Sequence, residues 1–110
     1  TIKFGVENMS NGEQPIFLYK VSHKLYRYII TELETNFHIQ PYDVQLEGIN
    51  KDEGIKLIVR FGENFNHSSE QFFSNKQLEN EKLALKDFIA KTGGQCIQVL
   101  KDDYFNKMTP

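Results

Sequence analysis

The sequence contains few of the residue types that define many small protein classes. A single cysteine, Cys96, excludes an intrachain disulfide and any multi-cysteine zinc site. It falls within an apolar run, which indicates a reduced thiol in the core. Tryptophan is absent, so the 9 phenylalanines and 5 tyrosines must supply much of the core volume.

Long apolar runs and clusters of basic residues are also missing. No stretch approaches the roughly 18 consecutive apolar residues of a membrane-spanning helix, and the first residues lack the pattern of a signal peptide. We therefore expect a cytoplasmic protein with no membrane partner. The net charge of −2 disfavours nucleic acid as a ligand, because phosphate backbones attract clustered lysine and arginine. Frequent asparagine and lysine with scarce alanine are typical of AT-rich bacterial or phage genomes.

The length and the hydrophobic patterns together predict the fold class. A chain of 110 residues fits one domain, 1–110, which buries roughly 60–70% of its unfolded surface. We predict an α+β fold with a mainly antiparallel sheet, in the order strand-strand-helix-strand-strand-helix-strand, and two helices packed on the sheet. The predicted elements are strands over 2–7 and 16–20, a helix over 23–36, strands over 42–47 and 55–61, a helix over 75–91 and a strand over 95–100. The polar tail, 101–110, is expected to fray or to dock as a short turn.

Capping residues predict where the helices begin and end. Ser22 is expected to cap the first helix, and Asn36 to end it in a left-handed conformation. Ser74 and Gln77 match the capping box of the second helix. Gly93-Gly94 is expected to terminate that helix and to turn the chain into the last strand.

Two hairpins are predicted from turn signals. Asn11-Gly12 suits a two-residue turn between the first two strands, although Pro15 then requires an edge strand or a longer loop. The central hairpin is better defined, because alternating segments flank Asn50 to Glu53. With those four residues as the loop, the predicted pairs are Leu46 with Leu57, Val44 with Val59 and Tyr42 with Phe61 on an apolar face, and Glu47 with Lys56 and Asp43 with Arg60 on a charged face. Ile58 lies among those charges, which indicates that something partly covers this side of the hairpin as well; if the hairpin has a partner, Ile58 is its expected contact.

The charged face of the central hairpin supports one catalytic hypothesis. A metal-dependent nuclease needs acidic ligands and a nearby lysine, and Asp43, Glu47 and Lys56 point the same way in this register. The order of elements also resembles, in topology alone, the core of restriction-endonuclease-like nucleases. Their acidic-x-Lys triplet would require a carboxylate or an amide where Gly54 stands. A solvated ladder of salt bridges explains the same charges without catalysis.

No other pattern indicates a cofactor or a metal. His23, His38 and His67 are far apart and lack a second ligand at helical or hairpin spacing. The paired glycines follow a predicted helix, whereas phosphate-binding glycines precede one. We therefore predict no cofactor, no metal and no catalytic residue.

The longest irregular stretch is predicted over 62–73. Its phenylalanines, Phe65 and Phe72, either fold back onto the core or present aromatic surface to a protein partner. The leading hypothesis is a small, non-catalytic, intracellular binding or regulatory protein whose partner is another protein or a second copy. Its predicted contact surface is this loop or an exposed sheet edge, with Ile58, Phe65 and Phe72 as candidate residues.

Overall fold

The computed structural model describes residues 14–108, and the side chains of residues 14–105. The predicted strand over 2–7 and the Asn11-Gly12 turn lie outside the described residues. The elements, in chain order, are β1 (Ile16–Phe17), α1 (Leu18–Val21), α2 (His23–Phe37), β2 (Val44–Lys51), β3 (Gly54–Phe61), β4 (His67–Ser74), α3 (Asn75–Glu79) and α4 (Leu83–Met108). Short 3-10 turns over Pro41–Asp43 and Glu63–Phe65 precede β2 and β4.

The four strands form one antiparallel sheet in the order β1-β2-β3-β4. Apolar residues of one sheet face share a buried cluster with residues of α2 and α4, so these helices pack against that face. The predicted α+β class with an antiparallel sheet and helices packed on it is confirmed. The predicted order of elements is wrong, because β2, β3 and β4 follow one another and the strand predicted over 95–100 is helical.

The β2–β3 hairpin has the predicted faces and a different register. Lys51 lies opposite Gly54, so the turn contains two residues instead of four, and Leu46 faces Val59 instead of Leu57. The ladder runs from Val44 opposite Phe61 to Lys51 opposite Gly54, so the paired part of β2 begins and ends two residues later than in the predicted register. Because the shift is two residues, the side chains of β2 and β3 stay on their predicted faces. Tyr42, predicted opposite Phe61 on the apolar face, instead lies in the 3-10 turn before β2 with 79% of its surface exposed.

The stretch predicted as an irregular loop over 62–73 is mostly strand β4. Gly62 turns the chain at φ +85°, and β4 then pairs with β3 along its whole length, from His67 opposite Phe61 to Ser74 opposite Gly54. Phe73 is the one residue of β4 that is fully buried. An edge strand with so little burial lacks the apolar alternation by which strands are detected.

Helix α2 begins where the sequence predicts and ends one residue later. The Ser22 hydroxyl accepts a hydrogen bond from the Leu25 N–H at 3.2 Å, as expected of its N-cap. The left-handed residue at its C-terminus is His38, at φ 58°, instead of Asn36. The strand predicted over 16–20 is also shorter than expected, because the chain turns into α1 at Leu18, whose side chain is fully buried.

The predicted second helix is divided into two, and its second part is far longer than expected. The capping box is confirmed, since the Gln77 N–H donates to Ser74 Oγ at 3.2 Å and the Ser74 N–H donates to Gln77 Oε1 at 2.9 Å. Helix α3 nevertheless ends at Glu79, and α4 then runs from Leu83 to Met108. The terminator predicted at Gly93-Gly94 is therefore wrong.

Packing against α2 explains why α4 continues through its glycines. A Cβ placed on Gly93 would lie 2.5 to 2.8 Å from ring atoms of Phe37, so only glycine lets this ring rest on the helix backbone. One turn further on, Cys96 is fully buried in the core cluster. A hydrogen bond of 3.2 Å from the Thr92 hydroxyl to Ser69 Oγ connects the same part of α4 to β4.

Candidate functional site

The sheet face that points away from α2 and α4, here called the outer face, carries the charged residues of the central strands. Arg60 Nε lies 2.8 Å from Glu47 Oε1, and Lys56 Nζ lies 3.0 Å from Glu70 Oε1. The predicted pairs were Glu47 with Lys56 and Asp43 with Arg60. The two-residue shift in register moved each cation to a different carboxylate.

Ile58 lies between these two ion pairs and is buried. The register places it in one row with Glu47 and Glu70, while Lys56 and Arg60 precede and follow it by two residues on β3. Only 3% of its surface is exposed, although it is not part of the cluster formed with the helices. The long aliphatic parts of lysine and arginine side chains commonly lie over apolar surface in this way. Ile58 therefore offers almost no surface to a partner.

The three residues of the nuclease hypothesis have separate structural partners. Asp43 is the last residue of the 3-10 turn before β2, and its Oδ2 accepts the Gln40 N–H at 2.9 Å. Glu47 and Lys56 form the two different ion pairs of the outer face. Among the residues with described side chains, no group of three histidine, cysteine or acidic residues is placed to hold a metal. Nothing in this arrangement favours the nuclease hypothesis.

The only cysteine is a free thiol in the core. Cys96 is fully buried, as predicted, but it lies in α4 instead of a strand. Burial raises the pKa of its thiol to about 11, and the negative charge of Asp43 adds to the effect. At neutral pH this sulfur is therefore a protonated thiol and not the thiolate that acts as a nucleophile.

Strand β4 is a free edge of the sheet in the part of the chain that the structure describes. It pairs with β3 on one side, and no strand among residues 14–108 pairs with its other side. Phe72 is 40% exposed and lies on the outer face together with Glu70. Phe65 is half-buried in the turn just before β4, at φ 54°. The predicted 62–73 loop and the predicted sheet edge are thus one and the same segment.

A second candidate site lies between the helices. It is a cleft of about 580 Å³ between the N-terminal half of α2 and the α3–α4 segment. The residues that line this α2–α4 cleft are Ser22, Lys24, Leu25, Arg27, Tyr28, Thr31, Leu78, Glu79, Lys82 and Leu85. Sequence reasoning missed it, because its two walls come from segments that are far apart in the chain and neither wall carries a recognisable motif.

These features define an α+β protein with a four-stranded antiparallel sheet and helices packed against one face. No protein-family model, no curated protein and no solved structure matches the chain. None of the helices within residues 14–108 is both long enough and apolar enough to cross a lipid bilayer.

Proposed function

We propose that this chain is a non-catalytic binding protein that adds an extended segment of a partner protein to the free edge of β4. The observation that carries the proposal is this edge itself. Eight residues, His67–Ser74, pair with β3 alone among the described strands, and most of their side chains are exposed. Strand addition is a common mode of peptide recognition, in which backbone hydrogen bonds supply affinity and alternate side chains supply specificity.

The backbone of β4 provides the hydrogen bonds that do not depend on the sequence of the partner segment. Alternate residues of an antiparallel edge strand direct their N–H and C=O groups away from the sheet, so about four residues of β4 are available to an added strand. Helix α4 holds β4 in place from the core face through the Thr92 to Ser69 hydrogen bond. A fixed edge lowers the conformational entropy that is lost on binding.

The outer face of β4 provides the side-chain contacts that select the sequence of the partner segment. Glu70 and Phe72 are two residues apart on this face, and the Glu70 side chain stays 46% exposed even in its pair with Lys56. An added strand places its own alternate side chains beside them. We therefore expect the partner segment to carry a basic residue and an apolar residue two positions apart.

The composition of β4 favours a different protein over a second copy of this chain. Its sequence, HSSEQFFS, contains no lysine or arginine. Pairing between two copies of β4 would therefore leave Glu70 without a basic residue opposite it. A partner strand that contains lysine or arginine supplies that charge.

Synthetic peptides provide the test. The probes are eight-residue peptides of alternating pattern with a lysine or arginine and an aromatic or aliphatic residue two positions apart, titrated by fluorescence anisotropy. We expect micromolar to millimolar binding by a subset, weakened in Phe72→Ser and in Glu70→Lys. Glu34→Lys makes the same charge change on the exposed surface of α2 and is expected to leave the affinity unchanged.

N-methylation of the peptide backbone then identifies the mode of binding. In strand addition, a methyl group on an amide that faces β4 abolishes binding, whereas the intervening amides tolerate it, so sensitivity alternates along the peptide. Uniform tolerance would contradict strand addition, and the absence of binding by the whole series would contradict the proposed partner class. A molar mass that rises with protein concentration and returns to that of a monomer in Glu70→Pro would identify a second copy as the occupant instead.

A further inference from the structure

We propose that the α2–α4 cleft binds a small molecule that carries one anionic oxygen group, a carboxylate or a phosphate, on an apolar body. The site is formed by helices and none of its lining residues belongs to β4. The proposal is therefore independent of strand addition, and either one can fail without the other.

The charges around the cleft attract an anion. Lys24, Arg27 and Lys82 line it, opposed by the single carboxylate of Glu79, in a chain whose net charge is −2. None of these three cations forms an ion pair with a carboxylate of the described residues. A concave surface lined by charges of one sign concentrates ligands of the opposite sign.

One residue of the cleft wall carries a buried hydroxyl that has no partner in the described part of the chain. Tyr28 lines the cleft, and its hydroxyl oxygen has no hydrogen-bond partner among the described residues although it is buried. The Lys82 ammonium lies 5.4 Å from the centroid of the Tyr28 ring. Burial raises the pKa of this hydroxyl, helped by the charge of Glu32, so it remains a donor at neutral pH. Buried polar groups in native proteins almost always have partners, and a ligand oxygen would supply this one.

The size and the remaining walls define the body of the ligand. The volume of about 580 Å³ lies within the roughly 300–1,000 Å³ of ordinary small-molecule sites. Leu25, Leu78 and Leu85 provide apolar surface next to the cations. A ligand whose apolar body packs on the leucines and whose oxyanion is directed at Lys82 and the Tyr28 hydroxyl matches both the apolar and the cationic surface of the cleft.

Four probes test this assignment, namely 1-naphthyl phosphate, 1-naphthoate, the neutral 1-naphthalenemethanol and inorganic phosphate. Affinities are measured by calorimetry, and the position of binding is measured by amide chemical-shift changes. At least one naphthyl anion is expected to bind about tenfold or more tightly than the neutral alcohol and than inorganic phosphate. The comparison of the phosphate ester with the carboxylate identifies the preferred head group.

Variants connect the binding to the cleft. Arg27→Gln and Lys82→Gln are each expected to weaken anion binding severalfold, whereas Lys86→Gln, an exposed position of α4 outside the lining, should leave it unchanged. Tyr28→Phe is the most informative change, because it removes a hydroxyl that has no partner among the residues that the structure describes. This substitution should lower the affinity for the anion about 5- to 30-fold, while the free protein should unfold at the same or a higher urea concentration than the wild type.

The outcomes that overturn the proposal are equally definite. Equal affinity for the anions and the neutral alcohol would exclude the charged head group. Shift changes confined to residues outside the cleft would exclude the site. An equal loss of affinity in Lys86→Gln and Arg27→Gln would show that anions are attracted by positive charge anywhere on these helices and not by the cleft.

Discussion

At the scale of single residues, the two adjacent glycines of α4 have opposite surroundings. Gly93 is buried, and a Cβ there would approach the Phe37 ring to 2.5 Å. Gly94 is exposed, and a Cβ there would meet nothing within 4 Å. The same substitution at neighbouring positions therefore has two different physical effects.

We expect Gly93→Ala to lower the free energy of unfolding by about 1–3 kcal/mol, because the added methyl group overpacks the contact with Phe37. Gly94→Ala should raise it by about 0.5–1 kcal/mol, because alanine is the better helix former and the site is open. Urea unfolding followed by circular dichroism measures both. In a Phe37→Leu background the Gly93→Ala penalty should shrink. A change of the same sign at both glycines would contradict the close contact between Gly93 and the Phe37 ring.

At the scale of elements, the start of α3 is fixed by local hydrogen bonds that can be tested directly. Ser74→Ala removes the oxygen that accepts the Gln77 N–H, and we expect it to lower the free energy of unfolding by about 1 kcal/mol. Ser68→Ala is the matched control, since Ser68 is exposed in the same strand and its side chain has no hydrogen bond within the described region. We expect the control to change stability by less than about 0.5 kcal/mol. Equal losses in the two variants would show that the cap contributes nothing.

The features that could be predicted from the sequence are those that depend on residues close together in the chain. The start of α2 at Ser22 and the capping box of Ser74 with Gln77 depend on neighbours three residues away, and both were predicted correctly. The faces of β2 and β3 were also correct. Their register was not, because Leu46 finds an apolar residue opposite it whether the partner is Leu57 or Val59.

The missed elements depend on contacts between distant parts of the chain. Strand β4 buries only Phe73 fully, so its pairing with β3 left no apolar pattern to detect. Helix α4 continues past Gly93 because Phe37 of α2 packs there, which no local rule contains. A helical spacing was nevertheless present, since the buried side chains Phe88, Thr92 and Cys96 are each four residues apart. The α2–α4 cleft was missed for the same reason, because Lys82 and the α2 residues Arg27 and Tyr28 meet only in the folded chain.

At the scale of the whole molecule, the buried thiol links stability to pH. Cys96 has a pKa of about 11 in the folded protein, against about 8.5 for an exposed cysteine in the unfolded chain. Between these values the unfolded state loses a proton that the folded state keeps, so raising the pH favours unfolding. This contribution is absent below about pH 8.5, and between the two pKa values it lowers the free energy of unfolding by up to about 1.4 kcal/mol per pH unit.

The measurement is the urea midpoint at half-unit steps from pH 7 to pH 11, for the wild type and for Cys96→Ala. The alanine variant is less stable at every pH because it leaves a cavity, so the slopes are compared and not the absolute values. All other side chains are the same in the two proteins, so only the difference in slope reports the thiol. Parallel curves would contradict a buried, protonated Cys96.

The two glycines in the middle of α4 also make the helical structure of this segment depend on its packing against the rest of the protein. A segment with glycine at two central positions is a poor helix by itself, and most helical stability in proteins comes from tertiary packing. Residues Leu83–Met108 are helical while Phe37 rests on Gly93 and Cys96 is enclosed by the core. Helix formation and docking in this segment are therefore one cooperative event. Separating α4 from the sheet would unfold the helix. The part of the α2–α4 cleft that Leu85 forms would be lost in the same step.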